Sequence, residues 1–221
     1  MTVLADGSVI PSSSQGTTRI TLDGIEFDTE SVSQQVVPVG VYTPPPVVTS
    51  LPTTGLYDGM EVYYAADIAN GVKWHLRYNS AGPAGLKWEV LGGTPLVAES
   101  MAQNFFNGMT PNAWGSITSD PTIVPTLSGE YNLECVATLN ISVAASTMLG
   151  IQVNNVDPIL GQNVAYGYPG VVSGAQNYKN QRKAQVNAGS TLRPRYQHNG
   201  ASSGNMGGSA ISLKVMPVRV G

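Results

Sequence analysis

Two histidines, one cysteine and 14 carboxylates are the residues from which a reactive site could be drawn. His75 stands between Lys73 and Arg77 in an alternating segment, so it shares a polar strand face, a setting for hydrogen bonding rather than proton transfer. His198 sits in Tyr-Gln-His-Asn-Gly, where a strand runs out into a Gly/Ser loop. Cys135 falls in the stripe Leu133, Cys135, Ala137, Leu139 and reads as a small buried hydrophobe, inert because apolar burial disfavours the thiolate. Glu130 and Glu134 share one strand face at about 13 Å, wider than the roughly 6.5–9.5 Å of an inverting glycosidase pair. Asp58 and Glu61 flank a turn, a common post for Asp. The chain contains no nucleophile elbow, phosphate loop, dinucleotide fingerprint or His-x-x-x-His pair. The reading is non-enzymatic, with no catalytic residue, no cofactor and no metal site.

A second population suits recognition. Tyr166, Tyr168, Tyr178 and Tyr196 occur late in the chain with Asn163, Asn177 and Gln181, interleaved with Lys179, Arg182, Lys183, Arg193 and Arg195. Aromatic rings and Arg are enriched at subunit interfaces. The same rings can also stack on sugars while amides bond hydroxyls. Tyr166, Tyr168, Tyr178, Arg182, Arg193, Arg195 and Tyr196 are therefore the candidates for interface or glycan contact, with interface the leading reading.

These residues must be positioned by strands. In 221 residues only 11% are charged, against roughly 25% in ordinary soluble proteins, while Gly numbers 25 and Pro 15. That composition argues against coiled coils, helical bundles and charge-rich disorder, and fits short strands with many turns. Charge is unevenly placed: residues 1–157 carry all 14 acidic groups and 4 basic ones (−10), while residues 158–221 carry 7 basic groups (+7). The net charge of −3 gives no nucleic-acid footprint. Late basic strands are expected beside early acidic ones, within a subunit or across an oligomer. A single cysteine leaves no intrachain disulfide. No apolar run approaches the ~18–20 residues that span a bilayer, and the start Met-Thr-Val-Leu-Ala-Asp lacks the basic region of a secretory signal. The expectation is a soluble product of a cytoplasm, with neither nucleic acid nor membrane as partner.

Three zones follow. Residues 1–45 are Ser/Thr/Gln-rich and read as an extended attachment region, with a small hairpin around Asp23-Gly24 and an extended stretch from Val36 to Tyr42. Pro44-Pro45-Pro46 makes a stiff connector. Residues 46–98 read as a small β-meander: residues 61–66 and 72–79 flank Asn70-Gly71, and residues 86–91 follow a Gly/Pro loop. In the middle strand Trp74, Leu76 and Tyr78 share one face and Lys73, His75 and Arg77 the other. Residues 99–221 show strands at sandwich spacing. The clearest runs from Tyr131 to Val143, apolar at every odd position, a period of two that no helix produces. Further strands are expected near 114–118, 122–127, 149–153, 163–168, 184–186, 192–196 and 211–215, about eight in all, as in a jelly roll. The fold class is all-β: a small N-terminal β-meander followed by an antiparallel jelly-roll β-sandwich.

The segments Leu51-Pro52, Asp58-Gly59-Met60-Glu61-Val62-Tyr63-Tyr64, Asn70-Gly71-Val72-Lys73-Trp74-His75-Leu76-Arg77-Tyr78, Lys87-Trp88-Glu89 and Gly92-Gly93 together resemble a module of tailed-bacteriophage structural proteins. Ser128-Gly129-Glu130-Tyr131 and the run from Ala188 to Tyr196 resemble, more generically, strands of TNF/C1q-like jelly rolls. The first resemblance covers residues 46–98 and the second, loosely, 99–221. It implies a virion structural protein of the minor tail, fibre or head-decoration type, made in the host cytoplasm and carrying no catalytic residues. The likeness to TNF/C1q-like jelly rolls implies a homotrimer; residues 1–45, with too little apolar surface to fold alone, are expected to bind it to a major capsid or tail protein. The rival reading is a tail adhesin for host-surface glycan.

Overall fold

The alternation read in the sequence becomes strand in a computed structural model of the chain, which describes residues 2–3, 9–10, 19–22, 25–28, 43–101, 104–117, 119–141, 146–159, 165–166, 176–200 and 204–221. Among these residues there is no helix. The chain divides into two compact units, Met1–Pro44 and Pro45–Gly221. In the first, β1 (Thr2–Val3) pairs with β2 (Val9–Ile10), and β3 (Arg19–Leu22) with β4 (Ile25–Asp28), both antiparallel. Leu22 stands opposite Ile25, the register of the expected hairpin. Its turn residues, Asp23 and Gly24, and the stretch expected extended from Val36 to Tyr42 lie outside the described residues.

The second unit contains β5 (Val47–Val48), β6 (Glu61–Asp67), β7 (Val72–Tyr78), β8 (Trp88–Gly93), β9 (Leu96–Ser100), β10 (Asn104–Met109), β11 (Gly129–Ile141), β12 (Thr147–Gln152), β13 (Ala165–Tyr166), β14 (Gln176–Val186), β15 (Arg193–His198) and β16 (Gly204–Val220). β6, β7 and β8 form the meander. Its first turn closes at residues 68–71, where Gly71 takes φ +68°, a left-handed value that favours glycine, and Asp67 Oδ1 accepts from Asn70 N–H at 3.1 Å. Trp74 and Leu76 are buried while Lys73 and Arg77 are exposed, so the middle strand presents the two faces that its alternation predicts. The meander does not close its own core. Trp74 meets the Tyr131 ring edge-on at 6.2 Å, and the hydroxyls of Tyr64 and Thr126 bond at 2.8 Å. β8 hydrogen-bonds into β16 at Arg219↔Glu89 and Val220↔Trp88. The expected 98/99 boundary falls within β9, itself a partner of β16.

Strand order identifies the sandwich. One sheet runs β10–β16–β11–β14, extended beyond β16 by β9 and by the meander. The other runs β13–β12–β15, and beyond β15 the segment at 115–123 adds two isolated bridges, Gly115↔Tyr196 and Ile123↔Leu192. Along the chain, β10, that segment, β11, β12, β13, β14, β15 and β16 distribute between the sheets as the eight strands of a jelly roll do. Among the described residues all strand pairings are antiparallel except β5 with β6. The two strands expected at 114–118 and 122–127 shrink to those bridges. The cause is a tight turn between them: Asp120 N–H donates to Ile117 O at 3.0 Å, and Asp120 Oδ2 accepts from Ile117 N–H at 2.7 Å.

Between the sheets lie Tyr131, Leu133, Cys135, Ala137 and Leu139 of β11, Ile211, Leu213 and Val215 of β16, and Leu149, Ile151 and Tyr196 of the smaller sheet. β16 keeps this register against β11 by a bulge: pairing steps from Val136↔Ser212 to Thr138↔Ser209, and Ala210 takes φ +48°. A left-handed non-glycine residue costs on the order of 1–3 kcal/mol. Ala210→Gly should therefore raise stability by up to about 1 kcal/mol even though glycine ordinarily weakens a strand, and Ala210→Val should lower it by about 1–2 kcal/mol. Chemical denaturation of the three proteins checks both signs.

Candidate functional site

β14 carries much of the late Tyr/Asn/Arg population, and the fold turns its alternate side chains toward β12. Tyr178, Asn180 and Arg182 each meet the residue 31 positions earlier. The Tyr178 and Thr147 hydroxyls bond to each other, Asn180 Nδ2 donates to Leu149 O at 3.1 Å, and Arg182 Nη1 reaches Ile151 O at 3.4 Å. One further step along, Asn154 Nδ2 donates to Gln185 O at 3.0 Å, and Asn154 Oδ1 accepts from Asn187 N–H at 2.9 Å. These side chains lace β14 to β12 and the turn that follows it, across the interior of the sandwich. Burial holds the Arg182 guanidinium below its usual pKa.

β15 positions Arg193, Arg195 and Tyr196. Arg195 grips Asp157 with two nitrogens, Nε to Oδ1 at 2.7 Å and Nη2 to Oδ2 at 3.0 Å. It also bonds Ser116 Oγ and reaches Trp114 O at 3.2 Å. Gln152 joins the group from β12, donating to Asp157 Oδ1 at 2.8 Å and accepting from Arg193 Nε at 2.7 Å. Residues 153–158 close over this network, and Pro158 lies so near Gly150 that a Cβ there would overlap its ring. On the other face of β15, fully buried Tyr196 donates to Asp120 Oδ1 at 2.7 Å. Burial raises the Asp120 pKa to about 6 in spite of that bond, the Ile117 N–H and the charges of Arg193 and Arg195.

Of the seven residues expected at an interface or a glycan, Tyr178 and Tyr196 are therefore core groups with their hydroxyls engaged. Arg182, Arg193 and Arg195 tie the sandwich together. Tyr166 falls in β13, but its side chain, like all of Tyr168, lies outside the described residues. Cys135 is buried and burial pushes its thiol pKa up. His198 is also buried, its Nε2–H donating to Met109 O at 2.9 Å while Nδ1 accepts from Gly200 N–H at 3.2 Å. His75 stacks on Tyr63 at 4.7 Å and donates to Glu61 at 2.8 Å. Among the described residues no three His, Cys, Asp or Glu side chains converge as metal ligands would.

The opposite charges of the two chain segments meet within one chain: Lys179–Glu134 (2.9 Å), Lys183–Glu130 (2.8 Å), Arg219–Glu89 (3.4 Å) and Arg195–Asp157. Glu61, Arg77, Glu89, Arg219 and Glu130 are moreover in register, forming one row of alternating charge across five strands. Glu89 accepts from Asn79 and Arg77, and Glu134 from Lys179 and Gln181, which lowers the pKa of both.

One feature escaped the sequence reading. A cleft of about 770 Å³ runs beside β9, walled by Asp67, Asn70 and Val72 across from Leu96 to Ala98, with Ile123 and Val124 at its side. The sequence mark of it is Gly92-Gly93-Thr94-Pro95, where β8 and β9 part.

No family model matches the chain, and no curated protein matches it. Among solved structures it is similar to one titled "Structure of Eiger TNF from S. frugiperda", at a TM-score of 0.37 and 6% identity over 56% of this chain and 92% of that one. The chain is an all-β jelly-roll protein on its own strand order.

The buried carboxyl gives a measurable sign. Asp120 has a folded pKa of about 6 against an ordinary 3.8, so the folded state binds the extra proton between those values. Its contribution is fully present below about pH 4 and is lost as pH rises through 6, worth up to about 3 kcal/mol. Glu89 and Glu134, with lowered pKa values, act oppositely and lose their contribution as pH falls. Asp120→Asn should therefore lower stability overall yet remove a falling component between pH 4 and 7. The difference between wild-type and variant unfolding free energies across that range measures it.

Proposed function

We propose that the chain is a non-enzymatic structural protein of a tailed-phage virion, displayed on the particle exterior. Its N-terminal unit attaches it to a major capsid or tail protein, and its β-sandwich faces outward as a homotrimer. The observation that carries this reading is the division at Pro44. A unit of short paired strands precedes the triple proline, and a separate, internally laced sandwich follows it. Short strands such as β3 and β4 suit attachment by strand addition, in which main-chain hydrogen bonds supply affinity. The resemblance of residues 46–98 to phage structural modules supports the setting. The engaged polar groups of the sandwich support a mechanical rather than chemical role, as capsid decoration, head fibre or minor tail protein.

Deleting residues 1–43 should abolish incorporation into particles while leaving the sandwich folded by circular dichroism; unchanged incorporation would end the proposal. Light scattering should give a mass near 70 kDa, three times 23.2 kDa, at all but the lowest concentrations. A concentration-independent monomer would remove the trimer from it.

A further inference from the structure

The cleft beside β9 is bounded on one side by three consecutive residues, Leu96, Val97 and Ala98. Successive strand side chains point to opposite faces, so a cavity lined by all three borders the strand's edge rather than either face. That edge is open. β9 pairs with β16 through Leu96↔Val215 to Ser100↔Ile211, and among the described residues its other side has no backbone partner. An edge of unpaired N–H and C=O groups is complemented by another extended backbone, a demand that a helix or a compact small molecule does not meet.

The side chains define what the added strand carries. Val97 is 48% exposed and Val124 51%, while Val72, Leu96 and Ile123 are buried beneath them, so the cleft has an apolar floor and an apolar rim. No lining residue is basic. Asp67 is half-buried on the far wall, its pKa lowered by the side-chain and backbone hydrogen bonds from Asn70, and Glu99 follows on β9 itself. The volume lies within the roughly 300–1,000 Å³ of ligand-binding clefts.

We propose that this cleft is a strand-docking site. It accepts one extended segment of a partner protein, paired edge to edge with β9, with apolar side chains at alternate positions and a Lys or Arg facing Asp67. The site goes beyond the attachment role of the N-terminal unit and does not depend on the chain's being a virion protein.

The full chain is titrated with short synthetic peptides, matched in length to β9, that alternate valine and threonine and end in either lysine or glutamate. Backbone amide shifts are followed by NMR. The lysine peptide is expected to saturate and to shift amides in residues 67–72, 96–100 and 122–124. It should bind at least about tenfold more tightly than the glutamate peptide, a difference of about 1.4 kcal/mol. Val97→Arg, at an exposed site, should weaken it at least about tenfold. Asp67→Asn, which keeps an acceptor for the Asn70 amide, should erase the lysine preference while retaining binding. Shifts elsewhere, indifference to Val97→Arg, or no binding at millimolar peptide would overturn the proposal. It would be overturned equally if Val97→Arg lowered the mass of the unliganded protein in light scattering, because the cleft would then belong to a second copy of the chain.

Discussion

The structure depends on one long strand. β16 hydrogen-bonds to β11 along one side, and on the other it pairs in turn with β10, β9 and β8. Its Ile211, Leu213 and Val215 enter the core while Lys214 faces out. A one-residue slip would exchange these sets and unpair both neighbours at once. Two local details fit the strand to this duty. The Ala210 bulge resets register against β11, and Pro217, with no N–H to offer, falls in the stretch that neither β8 nor β9 pairs. Gly129, opposite Val220, has no room for a side chain, since a Cβ there would strike the Arg219 carbonyl.

Electrostatics reinforce the same register. An isolated exposed ion pair contributes about 0–1 kcal/mol. The row from Glu61 to Glu130 acts through order rather than strength: like charges placed opposite one another would repel, so its alternation disfavours misaligned sheets. Arg195 and Asp157 belong to another regime. The Arg195 side chain is 12% exposed and its bonds fix a loop over the smaller sheet. Removing one partner there leaves a desolvated charge unpaired, a larger penalty than loss of a surface pair.

The sequence was legible where burial follows periodicity. Tyr131 to Leu139 alternated, and their odd positions are the core. Trp74 and Leu76 pointed inward as their spacing required. It was least legible where a polar residue is buried against a partner distant in sequence. Tyr178, Arg182 and Tyr196 look like surface groups by type. They are consumed by Thr147, the Ile151 carbonyl and Asp120, partners 31, 31 and 76 positions away, and no short-range pattern encodes those meetings. Likewise, strands were expected at 114–118 and 122–127, but the turn held by Asp120 outcompetes the ladder locally.

Two of the larger sheet's edges, among the described residues, show how topology creates surface. β14 presents Lys179 and Lys183 and sends its inward side chains across to β12, so that edge is charged and laced. β9 has no such protection because of how the meander is attached. To pair with β7, β8 must leave β16 after Glu89: residues 90–95 stand opposite only residues 216–218. Gly93, at φ +133°, then runs so close to the Lys73 carbonyl that no side chain fits, and Trp74 Nε1 donates to Thr94 O at 3.0 Å. These contacts pin β8 to the meander and hold it away from β9. The bonds that join meander to sandwich are thus the ones that leave the β9 edge open, and a cleft at that position is a consequence of the joint rather than a defect of packing.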